Sequence, residues 1–173
     1  MAERVVTCIE RLASFIARHW LLAVNSAMFL FIFPAFLAPY LMSIGMERPA
    51  KLVYALYRLT CHQLPERSFF VFGHKMALCA RCSSLYISFW GVGLFYGLWR
   101  STPLGRRCRL SPLRLRFLFL LALPMAIDGT MQLLGFWEST NTLRAITGAL
   151  AGGGFGLFAY PLLDRGFSEV REP

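Results

Sequence analysis

Apolar residues fall into four long blocks, at 20–44, 79–99, 117–136 and 143–163, between segments where polarity and charge return. Each block approaches or exceeds the roughly 20 residues with which a helix crosses the hydrocarbon core of a bilayer. Arg81 interrupts the start of the second. In lipid, every backbone polar group needs a partner inside its own segment, so blocks of this length predict helices. The expected fold is all-α: a polytopic integral membrane protein in which 1–173 form a single membrane domain around a four-helix transmembrane bundle.

The segments around the blocks carry their own patterns. Val5, Val6, Ile9, Leu12, Phe15 and Ile16 recur at helical spacing with charges between them, as in an interfacial helix leading into the membrane. Pro34 and Pro39 lie inside the first block and predict a kink. Between the first two blocks, 45–78 reads as a structured cap. Pro49 can open a short helix with Leu52, Val53, Leu56, Tyr57 and Leu59 on its apolar side, and Pro65 stops helix formation. The aromatic run 68–73 is too short to span but suits a membrane surface. Gly148, Gly152 and Gly156 share one helical face, as Gly93 and Gly97 do on another, and predict close helix packing.

Composition agrees: 57% of the 173 residues are hydrophobic and only 16% charged, more apolar than a soluble domain. The net charge of +9 raises the possibility of nucleic acid, but the cations flank the apolar blocks and no aromatic-basic recognition module accompanies them. Membrane topology accounts for them. Arg4, Arg11 and Arg18 precede the first block; Arg100, Arg106, Arg107, Arg109, Arg114 and Arg116 follow the second; Arg165 and Arg171 follow the fourth. The positive-inside rule then puts both termini in the cytoplasm of a multi-pass cell-membrane protein and the cap outside. The first block is too long for a cleavable signal core and is expected to remain as an anchor.

This orientation sorts the thiols. Cys8 and Cys108 fall on the reducing side, and Cys61, Cys79 and Cys82 on the side where disulfides persist. Three thiols cannot all pair within one chain. Cys79 and Cys82 stand one helical turn apart, able to chelate one ion or to close a disulfide. With Cys61, and with His62 or His74 as the fourth donor, they make a ligand set suited to zinc or another transition metal. Cys61 and His62 are consecutive, so their side chains diverge and both reaching one ion needs an unusual turn.

A second polar group belongs to the last two blocks. Asp128 lies deep in an apolar stretch, with Gln132 one turn on, and Glu138, Asn141, Arg144 and Thr147 follow in the connection and the next block. A carboxylate at such depth is costly unless it faces protein, water or a cation. Asp128 is the candidate acid or base and Arg144 its partner or an anion clamp; an Asp128–Arg144 pair that only locks the hairpin is the plainer reading. Both connections emerge on the same side, so the cap, with Arg67 and Arg81, and the polar hairpin are expected to share one pocket.

The string Cys61-His62-Gln63-x-Pro65-Glu66-Arg67-Ser68-Phe69-Phe70, followed by Gly73 and Cys79-Ala80-Arg81-Cys82-x-x-x-Tyr86, resembles the small bacterial and archaeal membrane-protein family designated domain of unknown function 2085. The polar hairpin at 128–148 is similar as well. The resemblance implies a multi-spanning membrane protein and no particular activity. Three functions compete: a metal site over a pocket for a lipid or quinone headgroup; a thiol-disulfide oxidoreductase with Cys79 as nucleophile, Cys82 as its partner and Cys61 as the exchanging thiol; and an accessory subunit packed against a protein partner in a larger membrane complex.

Overall fold

The computed structural model describes the backbone of residues 2–171 and the side chains of 14–105 and 107–168. Helix α1 covers Ala2–Ser43, so the amphipathic start and the first apolar block form one continuous helix of 42 residues. No glycine or proline separates the two parts, and nothing obliges the helix to stop at Arg18. The cap contains α2 (Glu47–Tyr57), a 3-10 turn at Pro65–Arg67, and a two-stranded hairpin of β1 (Phe70–Val71) and β2 (His74–Lys75). Then follow α3 (Ala80–Ser101), the short α4 (Pro103–Arg107), α5 (Leu115–Leu133) and α6 (Asn141–Arg171). The aromatic run is therefore partly a hairpin, closed by Phe72 and Gly73, both at positive φ (52° and 76°), as a tight two-residue turn requires.

Among the described residues, three segments are long and apolar enough to cross a membrane: Ser14–Ser43, Leu115–Leu133 and Asn141–Ser168. Helix α3 has comparable length at 22 residues, but Arg81 and Arg100 lie near its two ends. It occupies the centre, packed on α6 along its whole length and on α1 from the other side, while α5 packs chiefly on α6. Phe119, Leu120, Leu123 and Ile127 of α5 are exposed and form an apolar outer surface fit for lipid.

Helices α3 and α6 run parallel in a register that advances four residues at a time. A Cβ on Gly148 would strike the Arg81 carbonyl and Ser84, one on Gly152 the Leu85 carbonyl and Ser88, and one on Gly156 would lie 2.9 Å from Val92 Cβ. The glycine face thus lets the backbones approach, as expected from its spacing; in lipid such packing replaces the hydrophobic effect as the cohesive force. The same ridge continues through Tyr160, which lies against Gly93, to Asp164, which meets Tyr96.

Two prolines tie loops to this bundle. Pro39 has no N–H, which frees the carbonyl of Ala35 one turn earlier, and Ala77 N–H donates to it at 3.3 Å. Pro161 frees Leu157 in the same way, and Leu113 N–H donates to it at 3.2 Å. Each end therefore fixes one connection through a bond that an uninterrupted helix would have used internally. Around them sit two buried clusters, Ala35, Ala38, Tyr57, Cys61, Ala77 and Leu78 at the cap end, and Trp20, Tyr96 and Tyr160 at the far end.

Candidate metal centre

The cap positions Cys61 by a sequence of local bonds. Beyond α2, Cys61 N–H still donates to the Tyr57 carbonyl at 2.9 Å, keeping the chain coiled, and then Gln63 reverses it with φ 53°. This strained residue is held at both ends: its side-chain amide donates to the Tyr54 carbonyl at 2.8 Å, and Lys75 Nζ donates to its own carbonyl at 2.8 Å. The Tyr54 hydroxyl donates to the Lys75 carbonyl, and the Tyr57 hydroxyl to that of Phe31, so α2, the hairpin and α1 lock together. Cys61 is thereby delivered to the N-terminus of α3, where Cys79 N–H donates to its sulfur at 3.3 Å.

Cys79 caps α3, its carbonyl accepting from Ser83 N–H at 2.9 Å, and Cys82 follows one turn later on the same face. The ligand atoms of Cys61, Cys79 and Cys82 all lie within 4.8 Å of one another. All three are free thiols, Cys61 buried and the others half-buried. Hydrogen bonds from the Cys79 thiol first, then from the Cys82 thiol, and from the Cys79 and Gln63 backbones hold the Cys61 thiol far below the ordinary range. The bond from Cys79 N–H to the Cys61 sulfur favours a thiolate at Cys61. Such a group can bind a soft or borderline cation or act as a thiolate nucleophile.

Neither histidine belongs to the group of three sulfurs. His62 is exposed and lines the adjoining cavity, diverging from Cys61 as neighbours in a chain do; His74 is half-buried in β2, paired across the hairpin with Val71. The cavity, about 180 Å³, is lined by the three cysteines, His62, Arg67, Arg81, Gln132 and Arg144 among others. The cap and the ends of α3, α5 and α6 thus meet at one hollow.

The charges inside pair differently from the expectation. Asp128, 2% exposed, forms its ion pair with Arg81 rather than with Arg144. A Cβ at Gly129 would sit 3.2 Å from the Arg81 guanidinium, so glycine beside Asp128 leaves room for that side chain to reach across. Arg144 turns to the cap, donating to the Glu66 carbonyl at 3.1 Å and to Asn141 Oδ1 at 2.8 Å, while the Asn141 amide donates to the Ser68 carbonyl at 3.3 Å. The first turn of α6 therefore anchors the 3-10 turn. Thr147 bonds back to its own helix, to the carbonyls of Leu143 and Arg144, and Glu138 is exposed in the connection. Buried Arg81 Nε, Asp128 Oδ1 and Arg144 Nε have no hydrogen-bond partner.

The family profile described as a predicted membrane protein, DUF2085, matches residues 61–158, from the first cap cysteine almost to the end of the α3–α6 contact. This chain belongs to the DUF2085 family. An uncharacterized protein of Methanocaldococcus jannaschii is 39% identical to it over 140 residues, covering 78% of this chain and 86% of that protein. One from Methanothermobacter thermautotrophicus is 35% identical over 96 residues, covering 56% of this chain and 80% of its own. No solved structure matches. The matched stretch of this DUF2085 protein contains all three cap cysteines together with Arg67, Arg81, Asp128 and Arg144.

A second polar site, which the hydropathy pattern did not reveal, occupies the far end. Asp164 is 3% exposed; Tyr96 hydroxyl donates to its Oδ2 at 3.0 Å, and Arg100 lies 2.7 Å from Oδ1, close enough for an ion pair though not aligned as a hydrogen bond. With Trp99 and Arg109 they line another cavity of about 200 Å³. The Asp164-Arg165 pair reads in sequence as the polar flank of a span; the overlooked signal is that Asp164 continues the four-residue ridge of Gly148, Gly152, Gly156 and Tyr160. Cys108 is exposed at this end, and the Cys8 side chain lies outside the described residues.

Proposed function

We propose that this DUF2085 protein carries a transition-metal centre, with Cys61, Cys79 and Cys82 as thiolate ligands and zinc as the ion that this donor set suits best. The convergence of three sulfurs, one from the cap and two from the start of α3, is the observation that carries the reading. Helix α3 completes a four-span bundle of one membrane domain, with cap 45–78 facing out and both termini in the cytoplasm, as the arginine distribution favours. The three cysteines line the cavity, so an ion held by them would be open to a fourth, exchangeable ligand from it, unlike a closed structural site with four protein ligands. His62, which lines the same cavity, is a protein alternative for that position. Asp128 acts through Arg81, as the counter-ion that holds this guanidinium beside the thiols.

The test is elemental analysis of purified protein together with thiol counting. One metal per chain is expected, lost in Cys61→Ser and Cys82→Ser but retained in Cys108→Ser. Because the ligands bind as thiolates, acidification should release the metal as protons compete for sulfur. Metal-free protein with a Cys79–Cys82 disulfide sinks the reading in favour of thiol exchange. One contact favours that second reading: Cys79 N–H donates to the Cys61 sulfur, which would stabilise a thiolate there and make Cys61 the nucleophile in place of Cys79.

A further inference from the structure

We propose that the cavity beside the three cysteines binds a phosphate-type oxyanion, clamped by Arg67 and Arg144 with one oxygen at the metal's fourth position; this rests on the metal-centre reading above. Of the three arginines that face this hollow, Arg81 alone has a carboxylate partner among the described residues. Arg144 is 5% exposed, and its buried Nε has no hydrogen-bond partner. Burying a guanidinium without a counter-ion is costly, more so near a bilayer, and the cost is relieved when an anion enters. The forked donors of arginine match phosphate oxygens in pairs.

Two further features favour the same charge. Helices α3 and α6 are parallel, so both begin at this end, and the positive ends of their dipoles add to the arginine charges. The space is also of suitable size: about 180 Å³ against a share of about 30 Å³ per liquid water, enough for a small oxyanion and residual solvent. The same chemistry is offered by free phosphate and by the phosphodiester of a lipid headgroup at the membrane surface.

Cobalt-substituted protein separates the possibilities. Thiolate-to-cobalt absorption reports the metal site, and the ligand-field bands report what fills the fourth position. Inorganic phosphate should shift those bands in wild-type protein, and Arg144→Gln should weaken its binding at least tenfold, the scale of a charged hydrogen bond. Arg67→Gln is the second variant, because Arg144 also supports the cap; an unchanged thiolate band shows that the cap has kept its fold. Phospholipid nanodiscs that reproduce the shift without added phosphate, where a phosphate-free glycolipid bilayer does not, identify a lipid headgroup; a response to phosphate alone identifies a free anion. A cobalt thiolate band whose ligand-field spectrum ignores phosphate and lipid, or changes only with His62→Ala, overturns the anion proposal and leaves the metal centre standing. Absence of the thiolate band removes the metal reading instead, and equilibrium dialysis with radiolabelled phosphate then decides the anion site: retention that depends on Arg144 supports it, and no retention overturns it.

Discussion

The two ends of the α3–α6 pair are built from the same parts and finished differently. Each buries a carboxylate against an arginine of α3: Asp128 with Arg81 at the cap end, Asp164 with Arg100 at the far end. Each also uses a proline-freed carbonyl to hold a connection, Ala35 for Ala77 and Leu157 for Leu113. At the far end Asp164 Oδ2 accepts from Tyr96, and Oδ1 has the Arg100 charge beside it without an aligned hydrogen bond. At the cap end, Asp128 Oδ1, Arg81 Nε and Arg144 Nε stay unpartnered around a hollow that also contains three thiols. Each end thus has an unpartnered carboxylate oxygen, and the difference is charge. The far-end pair is balanced, while Arg144, buried beside the cap-end hollow, has no carboxylate partner among the described residues. An unbalanced buried charge beside open space marks a place for something else to bind. The lesson is that a buried ion pair in a membrane protein does not by itself mark function; what its partners leave over does.

The largest effect expected from this contrast is at Asp128. Asp128→Asn removes the counter-ion of Arg81 and should lower stability by about 3–5 kcal/mol, the usual result of breaking a buried pair from one side. Arg81→Gln should cost a similar amount, and Asp128→Asn with Arg81→Gln should recover much of the loss. Thermal unfolding of detergent-solubilised protein measures the cycle. Additive losses would mean that the pair is not coupled and that Asp128 has another partner; if pairing Asp128→Asn with Arg144→Gln restored stability instead, the original hairpin reading would replace the observed pairing.

This pairing also shows what the sequence could and could not disclose. The apolar blocks predict the long helices because the bilayer leaves them no alternative, and α5 and α6 overlap the blocks at 117–136 and 143–163. The end of α6 extends further, to Arg171, because Pro161 is accommodated by the Leu113 bond rather than breaking the helix. The thiol spacing suggested a cluster, since a cysteine at each end of a short cap can meet. The partner of Asp128 was not legible: Arg81 and Arg144 are both plausible by depth, and only the tertiary arrangement of α3 between α1 and α6, with Gly129 opening the path, selects Arg81. The hairpin turn at Phe72 and Gly73 was hidden because the aromatic run has the composition of a membrane-surface segment.

A smaller effect is expected midway between the ends, where neither charge nor cavity contributes. A Cβ at Gly152 would strike the Leu85 carbonyl and Ser88 Oγ, and because backbone yields less readily than a side-chain tip, Gly152→Ala should cost about 1–3 kcal/mol as overpacking. Gly153, one position on, has open space for a Cβ, so Gly153→Ala should be near neutral or slightly stabilising in the same unfolding assay. Equal losses at both positions would show that helix backbone effects, not the α3–α6 contact, set the response. A loss at Gly152 accompanied by weakened metal binding would show that the two ends are mechanically linked through the ridge.

The smallest effect should come from Asp164→Asn. The replacement keeps a carbonyl oxygen to accept from Tyr96, and Arg100, whose side chain is 31% exposed, can turn its guanidinium toward the interface once the carboxylate charge is gone. That freedom is absent at the cap end, where Arg81 retains only 22% exposure and points inward across Gly129. The expected loss is therefore about 1 kcal/mol, near the net value of one hydrogen bond, with metal content and cobalt spectrum unchanged. A loss as large as that of Asp128→Asn would make the two ends energetically equivalent, and the unpaired Arg144 charge at the cap end would then no longer distinguish a binding site from a staple. A small loss at Asp164 beside a large one at Asp128 would place the unbalanced charge where the thiols are, which is the arrangement that an exchangeable metal site with an anionic ligand requires.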